Sequence, residues 1–295
     1  MHLGNAFSLL MAWLGARSAG GSIIMRIEDI DARAQDPAVA RQLLDDARWL
    51  GLDWDEGPYL QSERLAVYAD ALATLEEKGL IYPCFCSRQE LHAASAPHAS
   101  DGTYVYAGTC RGLSADEIAR RSLERPPAMR LAVPDEDIVF TDAVFGPQRE
   151  NLAHDCGDFL VRRSDGVFAY QLAVAVDDAL MGVTQVVRGR DLLGSCARQI
   201  YIQRELGLPS PAFAHIPLLT ALDGRRLSKR DHDLDLGVLR DRGVSPERII
   251  GALAALVGLA EQGAEAAPSE LVDRFSWDAL AKHREDIVVD SGFLG

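Results

Sequence analysis

Apolar residues recur at helical spacing from the start of the chain: Ala6, Leu9, Leu10, Trp13 and Leu14 share one face, directly after Gly4, until Gly20-Gly21 breaks the pattern. This rhythm predicts a helix over 5–17. Ser22 to Ile27 then reads as a buried strand ending in the polar run Glu28-Asp29-Ile30-Asp31, where a parallel strand opens into a site. A second helix is signalled by Asp36 as N-cap and Pro37 at the first helical position. Its apolar face is Val39, Leu43, Ala47 and Leu50, with Gly51 as the stop. A third follows from Ser62, with Leu65, Tyr68, Leu72 and Leu75 inward and Gly79 ending it. Strand and helix in alternation predict an α/β fold with a doubly wound sheet.

From about 81 to 115 the periodicity collapses and Cys, His, Gly and Tyr dominate, which reads as an inserted metal knuckle. Regular structure then resumes. Phe159 to Arg163 and Val167 to Leu172, joined by Ser164-Asp165-Gly166, predict a hairpin, and Val183 to Arg188 another core strand. A helix is expected from Asp191 to Leu206, ended by Gly207, then a strand from Phe213 to Thr220 and a turn at Asp223-Gly224. The last section opens on Ser245-Pro246-Glu247 and carries an Ile249, Ile250, Leu253, Leu256, Val257 face, so it reads as a small helical subdomain; 260 to 268 reads as a linker.

Totals narrow the class. With 295 residues and 48% hydrophobic composition the chain can bury a sizeable core. No apolar stretch approaches a membrane span and no secretory signal pattern opens the chain, so a cytoplasmic enzyme is expected. Three of the five cysteines, Cys84, Cys86 and Cys110, lie close together, which suggests a metal before a disulfide; Cys156 and Cys196 read as packing residues. A net charge of −14 excludes indiscriminate nucleic-acid binding. An RNA partner would need a local basic face, and Arg225, Arg226, Lys229 and Arg230 offer one.

Two segments suggest phosphate chemistry. His2-Leu3-Gly4-Asn5 sits at the mouth of the first helix, where unpaired N–H groups and the helix dipole favour an anion. Arg226-Leu227-Ser228-Lys229-Arg230 follows a turn, and Lys229 is one of only three lysines among thirty basic residues, a compact charge suited to a triphosphate. Three thiolates in the knuckle suit tetrahedral zinc and need a fourth ligand, for which general chemistry nominates His92 or His98.

His2-Leu3-Gly4-Asn5 resembles the His-x-Gly-His signature of class I aminoacyl-tRNA synthetases, and Arg226 to Arg230 resembles their Lys-Met-Ser-Lys-Ser loop. Between them, Arg26-Ile27-Glu28-Asp29-Ile30-Asp31 and Val187-Arg188-Gly189-Arg190-Asp191 resemble segments of the glutamate-specific branch, so the likeness runs in order over 1 to about 235. Within that branch it is closer to the abbreviated subfamily that has no anticodon-binding domain and places glutamate on queuosine in the anticodon loop of tRNA(Asp), because only a short helical section follows.

The resemblance implies a Rossmann-like parallel sheet interrupted by a zinc insert. Its first half would occupy 1–80, the insert 81–115, the remainder 116–235, and a helical C-terminal subdomain 236–295. It implies His2 and Lys229 as catalytic residues, and His2, Gly4, Asn5, Arg226, Leu227, Ser228 and Lys229 as the ATP contacts. Glu28, Tyr170 and Arg188 would hold glutamate. Cys84, Cys86, Tyr106 and Cys110 would bind structural Zn2+, the resemblance nominating Tyr106 as fourth ligand because it keeps the family's spacing to Cys110. ATP with Mg2+, glutamate and queuosine-bearing tRNA(Asp) are the implied partners of a monomeric enzyme. The family's first strand would precede His2; it is expected upstream of Met1, since without it the strand over 22–27 lacks a neighbour.

Overall fold

The computed structural model describes residues 1–31, 36–87, 89–90, 105–225, 227, 234–290 and 292–294. The candidate ATP contacts Arg226, Ser228 and Lys229, with Arg230, lie outside them, as do the candidate ligands His92 and His98.

Helix α1 spans Leu3–Ser18 and starts earlier than its apolar rhythm because His2 caps it: the imidazole accepts from the Asn5 N–H while the Asn5 side chain accepts from the His2 N–H. Strand β1 is Ile24–Ile27. Asp36 caps α2, Pro37–Trp49, through the Ala38 N–H. The inward face proposed for α2 is corrected: Ala47 and Leu50 are buried, but Val39 and Leu43 are exposed. Strand β2, Glu56–Leu60, which the sequence pattern did not announce, pairs parallel with β1. A short 3-10 turn occupies the start proposed for the third helix, so α3 is Leu65–Glu77; Tyr68, Leu72 and Leu75 are buried, whereas Leu65 faces out.

Beyond it come β3 (Ile81–Cys84), α4 (Ala115–Glu124), β4 (Ala128–Leu131), β5 (Asp137–Asp142), β6 (Gly146–Asn151), α5 (Leu152–Asp155) and β7 (Phe159–Arg162). The expected hairpin is replaced at its second limb. The 163–167 turn closes, with Arg163 donating to the Val167 carbonyl, and a single bridge forms between Arg162 and Phe168. The chain then enters helix α6, Tyr170–Leu180.

Strand β8 is Gln185–Gly189; a 3-10 turn, Arg190–Ser195, leads into α7, Cys196–Leu206, which Gly207 ends in the left-handed conformation, φ 69°. The strand expected over 213–220 is split at Pro217 into β9, Ala212–Ile216, and β10, Leu219–Thr220.

The central sheet has the order β6-β5-β9-β8, parallel except for the β5–β6 hairpin, and a second, antiparallel sheet has the order β3-β4-β7. Among the described residues β1 is bonded only to β2, and β8 only to β9. Between these two edges runs a groove lined by Ala12, Gly15, Ala16, Ile23, Ile24 and Val187 among others. The carboxyl half of α1 thus lies beside the opening residues of both strands.

The C-terminal section comprises α8 (Leu236–Asp241), α9 (Pro246–Ala255), α10 (Pro268–Leu271), α11 (Trp277–Leu280) and β11 (Ile287–Val288), which pairs with β10. Its Ile249, Leu253, Leu271 and Phe275 share one buried cluster with Leu3, Leu10 and Leu14 of α1. The stretch expected as a linker packs on α9: Ala266 N–H donates to the Glu247 carbonyl, and a Cβ at Gly251 would lie 2.0 Å from the Ala264 carbonyl oxygen. A second cluster joins α3, α6 and α7 to the antiparallel sheet through Tyr68, Leu75, Leu131, Val161, Leu172 and Tyr201.

Candidate active site and metal centre

Open parallel sheets present their ligand sites beyond the carboxyl ends of their strands. Glu28 stands one residue past β1, Arg188 is next to last in β8, and Tyr170 opens α6. The structure brings these three together. The Arg188 guanidinium reaches the Tyr170 hydroxyl, Nη1 to Oη 3.4 Å, and Glu28 lies within electrostatic reach of both. Arg26 pairs with Glu28 at 3.4 Å and with the buried Asp178 at 2.8 Å. Crowding by protein atoms raises the Glu28 carboxyl above the ordinary glutamate range, although Arg26 pulls the other way. Burial likewise raises Asp178 and the Tyr170 hydroxyl. The cleft therefore offers an anionic and a cationic pole with a hydroxyl between them, complementary to an amino acid with an acidic side chain.

The rest of the polar run serves the framework. Asp29 accepts from the Ser62 N–H at 2.8 Å and its hydroxyl at 2.7 Å, and Asp31 pairs with Arg163 at 2.7 Å. Beneath the cleft, Asp177 is fully buried among Arg64, Tyr68 and Gln61, at 2.6, 2.7 and 3.0 Å. Such a charge is retained only when its partners satisfy it.

Elsewhere, the N-terminus of α1 meets the flanks of the segment that carries Lys229. His2 forms a bridge with Asp235, the Leu236 N–H donates to the Met1 carbonyl at 2.8 Å, and Leu227 is buried in the cluster that holds Leu3. Residues more than two hundred positions apart in the sequence are thus tied at one helix terminus. Gly4 has a local reason: a Cβ there would approach the His2 ring at 3.1 Å. Arg225, expected in a basic face, pairs with Asp223 at 2.8 Å.

Cys84, Cys86 and Cys110 place their sulfur atoms within 4.8 Å of one another, and the cluster could hold a metal ion. The Tyr106 hydroxyl is 3.6 Å from Cys84 Sγ and 3.8 Å from Cys86 Sγ, and the sulfurs of Cys86 and Cys110 are 3.6 Å apart. Zinc–thiolate bonds in a tetrahedral site put sulfur atoms about 3.8 Å apart, so the donor set fits that ion. Arg130 lies 3.6 Å over the Tyr106 ring and donates from Nε to Cys84 Sγ at 3.2 Å. Burial alone would raise the Cys84 thiol, but the hydrogen bond from Arg130 and further contacts bring it below the usual thiol range. Cys86, half-buried beside Cys84, is pushed up to about 12 by desolvation and by the neighbouring thiols.

Sequence reasoning missed Arg26 and Asp178, and it also missed Asp142, Cys196 and His215, which surround Arg188. Cys196 was read as inert packing, yet its sulfur accepts from Arg188 Nη2 at 3.2 Å. Arg26, Asp178 and His215 carried one signal, a polar side chain within a largely apolar strand or helix.

Comparison with known proteins agrees with this architecture. The family described as tRNA synthetases class I (E and Q), catalytic domain, matches residues 1–289. The chain is 53% identical over 287 residues to the glutamyl-Q tRNA(Asp) synthetase of Symbiobacterium thermophilum, covering 93% of this chain and 88% of that protein. It is 48% identical to the protein of the same name from Nitratidesulfovibrio vulgaris, covering 95% and 90%. A crystal structure of a glutamate tRNA ligase from Elizabethkingia meningosepticum superposes with a TM-score of 0.81 at 25% identity; all of this chain is covered but 65% of that one. The chain thus belongs to the class I tRNA synthetases of the glutamate and glutamine branch, and is a ligase with the α/β catalytic fold of glutamyl-tRNA synthetases.

Proposed function

We propose that this enzyme activates glutamate with ATP and transfers the glutamyl group to queuosine in the anticodon loop of tRNA(Asp). The observation that carries the activation step is the convergence of Glu28, Tyr170 and Arg188, with Glu28 one residue past β1 and Arg188 near the carboxyl end of β8. A carboxylate oxygen of glutamate attacks the α-phosphorus of ATP, the bond to the bridging oxygen breaks, and pyrophosphate leaves. A queuosine hydroxyl then attacks the acyl carbon of the adenylate, releasing AMP. In-line displacement at phosphorus needs positioning and well-placed charge rather than a covalent nucleophile.

Glu28 holds the substrate ammonium, and Arg188 with Tyr170 holds the side-chain carboxylate. His2 accepts its capping bond at Nδ1, so the neutral ring carries its proton on Nε2, suited to donate to a phosphate oxygen. Gly4 and Asn5 contribute the first-turn backbone of α1 to the same anion, and Arg226, Leu227, Ser228 and Lys229 close over the triphosphate, Lys229 neutralising the departing pyrophosphate. Mg2+ accompanies ATP. Cys84, Cys86, Tyr106 and Cys110 hold one Zn2+ in a structural role.

The choice of acceptor is supported by the relatives. The chain spans 88–90% of two proteins named glutamyl-Q tRNA(Asp) synthetase but 65% of the solved glutamate tRNA ligase. Incubation with ATP, radiolabelled glutamate and queuosine-bearing tRNA(Asp) is expected to label that tRNA at the modified nucleotide. No label there, or label at the 3′ end of tRNA(Glu), contradicts the proposal.

A further inference from the structure

Arg188 and His215 face one another across adjacent parallel strands, as register partners of β8 and β9. His215 is fully buried, and its Nε2 lies 3.1 Å from Arg188 Nε. Because Arg Nε is only ever a donor, His215 Nε2 must be the acceptor, and the ring's proton sits on Nδ1. That proton points at Asp142 Oδ2, 2.7 Å away at the end of β5. Asp142 is itself fixed: its carboxylate accepts from the backbone N–H groups of Val144, Phe145 and His215. A chain of hydrogen bonds therefore runs from three main-chain donors through Asp142 and His215 to the guanidinium.

This chain fixes one side of Arg188. Nη2 is directed to the Leu192 carbonyl at 3.3 Å and to Cys196, and Nη1 to Tyr170. With Nε engaged below, the plane of the guanidinium cannot rotate, and its Nη1 edge is presented to the cleft beside Glu28. A Tyr170 hydroxyl that accepts from Arg188 keeps its own proton to donate. One Arg N–H and one Tyr O–H then form a two-point receptor for a carboxylate.

We infer that Asp142 and His215 are positioning residues for glutamate recognition, acting through Arg188 by locking the histidine in the neutral tautomer that accepts from the guanidinium. This deepens the proposed function and rests on it. A protonated or absent imidazole would leave Arg188 Nε facing another donor or an apolar wall, free to turn its fork from the cleft.

Glutamate-dependent ATP–pyrophosphate exchange by the full chain tests this with three variants at one position. His215→Phe fills the space without an acceptor. His215→Asn reaches Asp142 but not Arg188. His215→Gln can donate to Asp142 and accept from Arg188. Phe and Asn are expected to raise KM for glutamate about tenfold or more, the scale of one hydrogen bond to a charged group, with KM for ATP and kcat within about twofold. Gln is expected to restore KM for glutamate to within about threefold of the native enzyme. The proposal is overturned if Gln performs no better than Asn, or if the losses fall equally on glutamate, ATP and kcat, as a general loosening of the sheet would give. Should His215→Phe fail to fold, the comparison of Asn with Gln decides. A native enzyme with no glutamate-dependent exchange overturns the functional reading, and this proposal falls with it; altered variants beside an active native enzyme bear on the proposal alone.

Discussion

Glu28 holds its carboxylate against Arg26 just beyond the end of β1, in a cleft that raises its pKa. A carboxyl with a raised folded-state pKa keeps its proton more tightly when folded, so its ionisation above the unfolded value costs stability. The charge proposed to meet a substrate ammonium therefore works against the fold at neutral pH. Glu28→Gln is expected to leave Tm unchanged or higher while KM for glutamate rises by about tenfold or more, checked by thermal melting beside pyrophosphate exchange. A lowered Tm with unchanged KM would assign Glu28 a framework role. In the native enzyme, KM for glutamate is expected to climb with falling pH at values above the ordinary glutamate pKa of about 4.3, because protonation removes the anion proposed to meet the ammonium.

Individual positions differed in how far the sequence revealed them. Glu28 and Arg188 stood in segments that resemble a known family, and that resemblance implied Tyr170 beside them. Asp142 and His215 did not: each is a buried polar residue at or near the end of its strand, and the pairing that gives them meaning joins residues 73 positions apart. No local periodicity encodes such a contact.

At the level of elements, capping chemistry and glycine stops marked α1, α2 and the end of α7 well. The error at α6 has a physical cause. Its Leu172, Ala173, Val174, Ala175 and Val176 are all buried, so the stretch shows no amphipathic rhythm, and the preceding turn at 163–167 is real. A β-rich composition after a turn looked like a hairpin. The exposure of Val39, Leu43 and Leu65 shows the converse: helical spacing locates a helix but does not prove which apolar residues face inward.

The thiol cluster sits where the antiparallel sheet meets the inserted knuckle, with Cys84 ending β3 and Arg130 arriving from β4. This element has a small apolar cluster of its own, Cys84, Tyr106 and Cys110, so an ion held there would contribute much of its order. The purified protein is expected to contain about one zinc per chain by elemental analysis. Cys110→Ser should abolish most of it and lower Tm, while Tyr106→Phe should weaken retention against a chelator. Full zinc retention in Cys110→Ser would contradict the ligand set.

On the scale of the whole molecule, sequence order hides the site. His2 meets the flanks of the Lys229 segment through its bridge to Asp235, and the C-terminal helices support α1 from the other side. Among the described residues, β1 with its partner β2 and β8 with its partner β9 border a common groove beside α1. The parallel α/β architecture was legible from the alternation of strand and helix, but the order β6-β5-β9-β8 was not, because it depends on crossovers that leave no trace in local pattern.

The central claim is that one cleft joins the N-terminus of α1 to the Glu28, Tyr170 and Arg188 cluster, holding an amino acid beside a nucleotide. A crystal structure with a non-hydrolysable glutamyl-adenylate analogue tests it most directly. The account predicts the analogue's ammonium on Glu28, its side-chain carboxylate on Arg188 and Tyr170, and its phosphate mimic at His2 and the first turn of α1. An analogue bound elsewhere, or with its carboxylate turned away from Arg188, would contradict it.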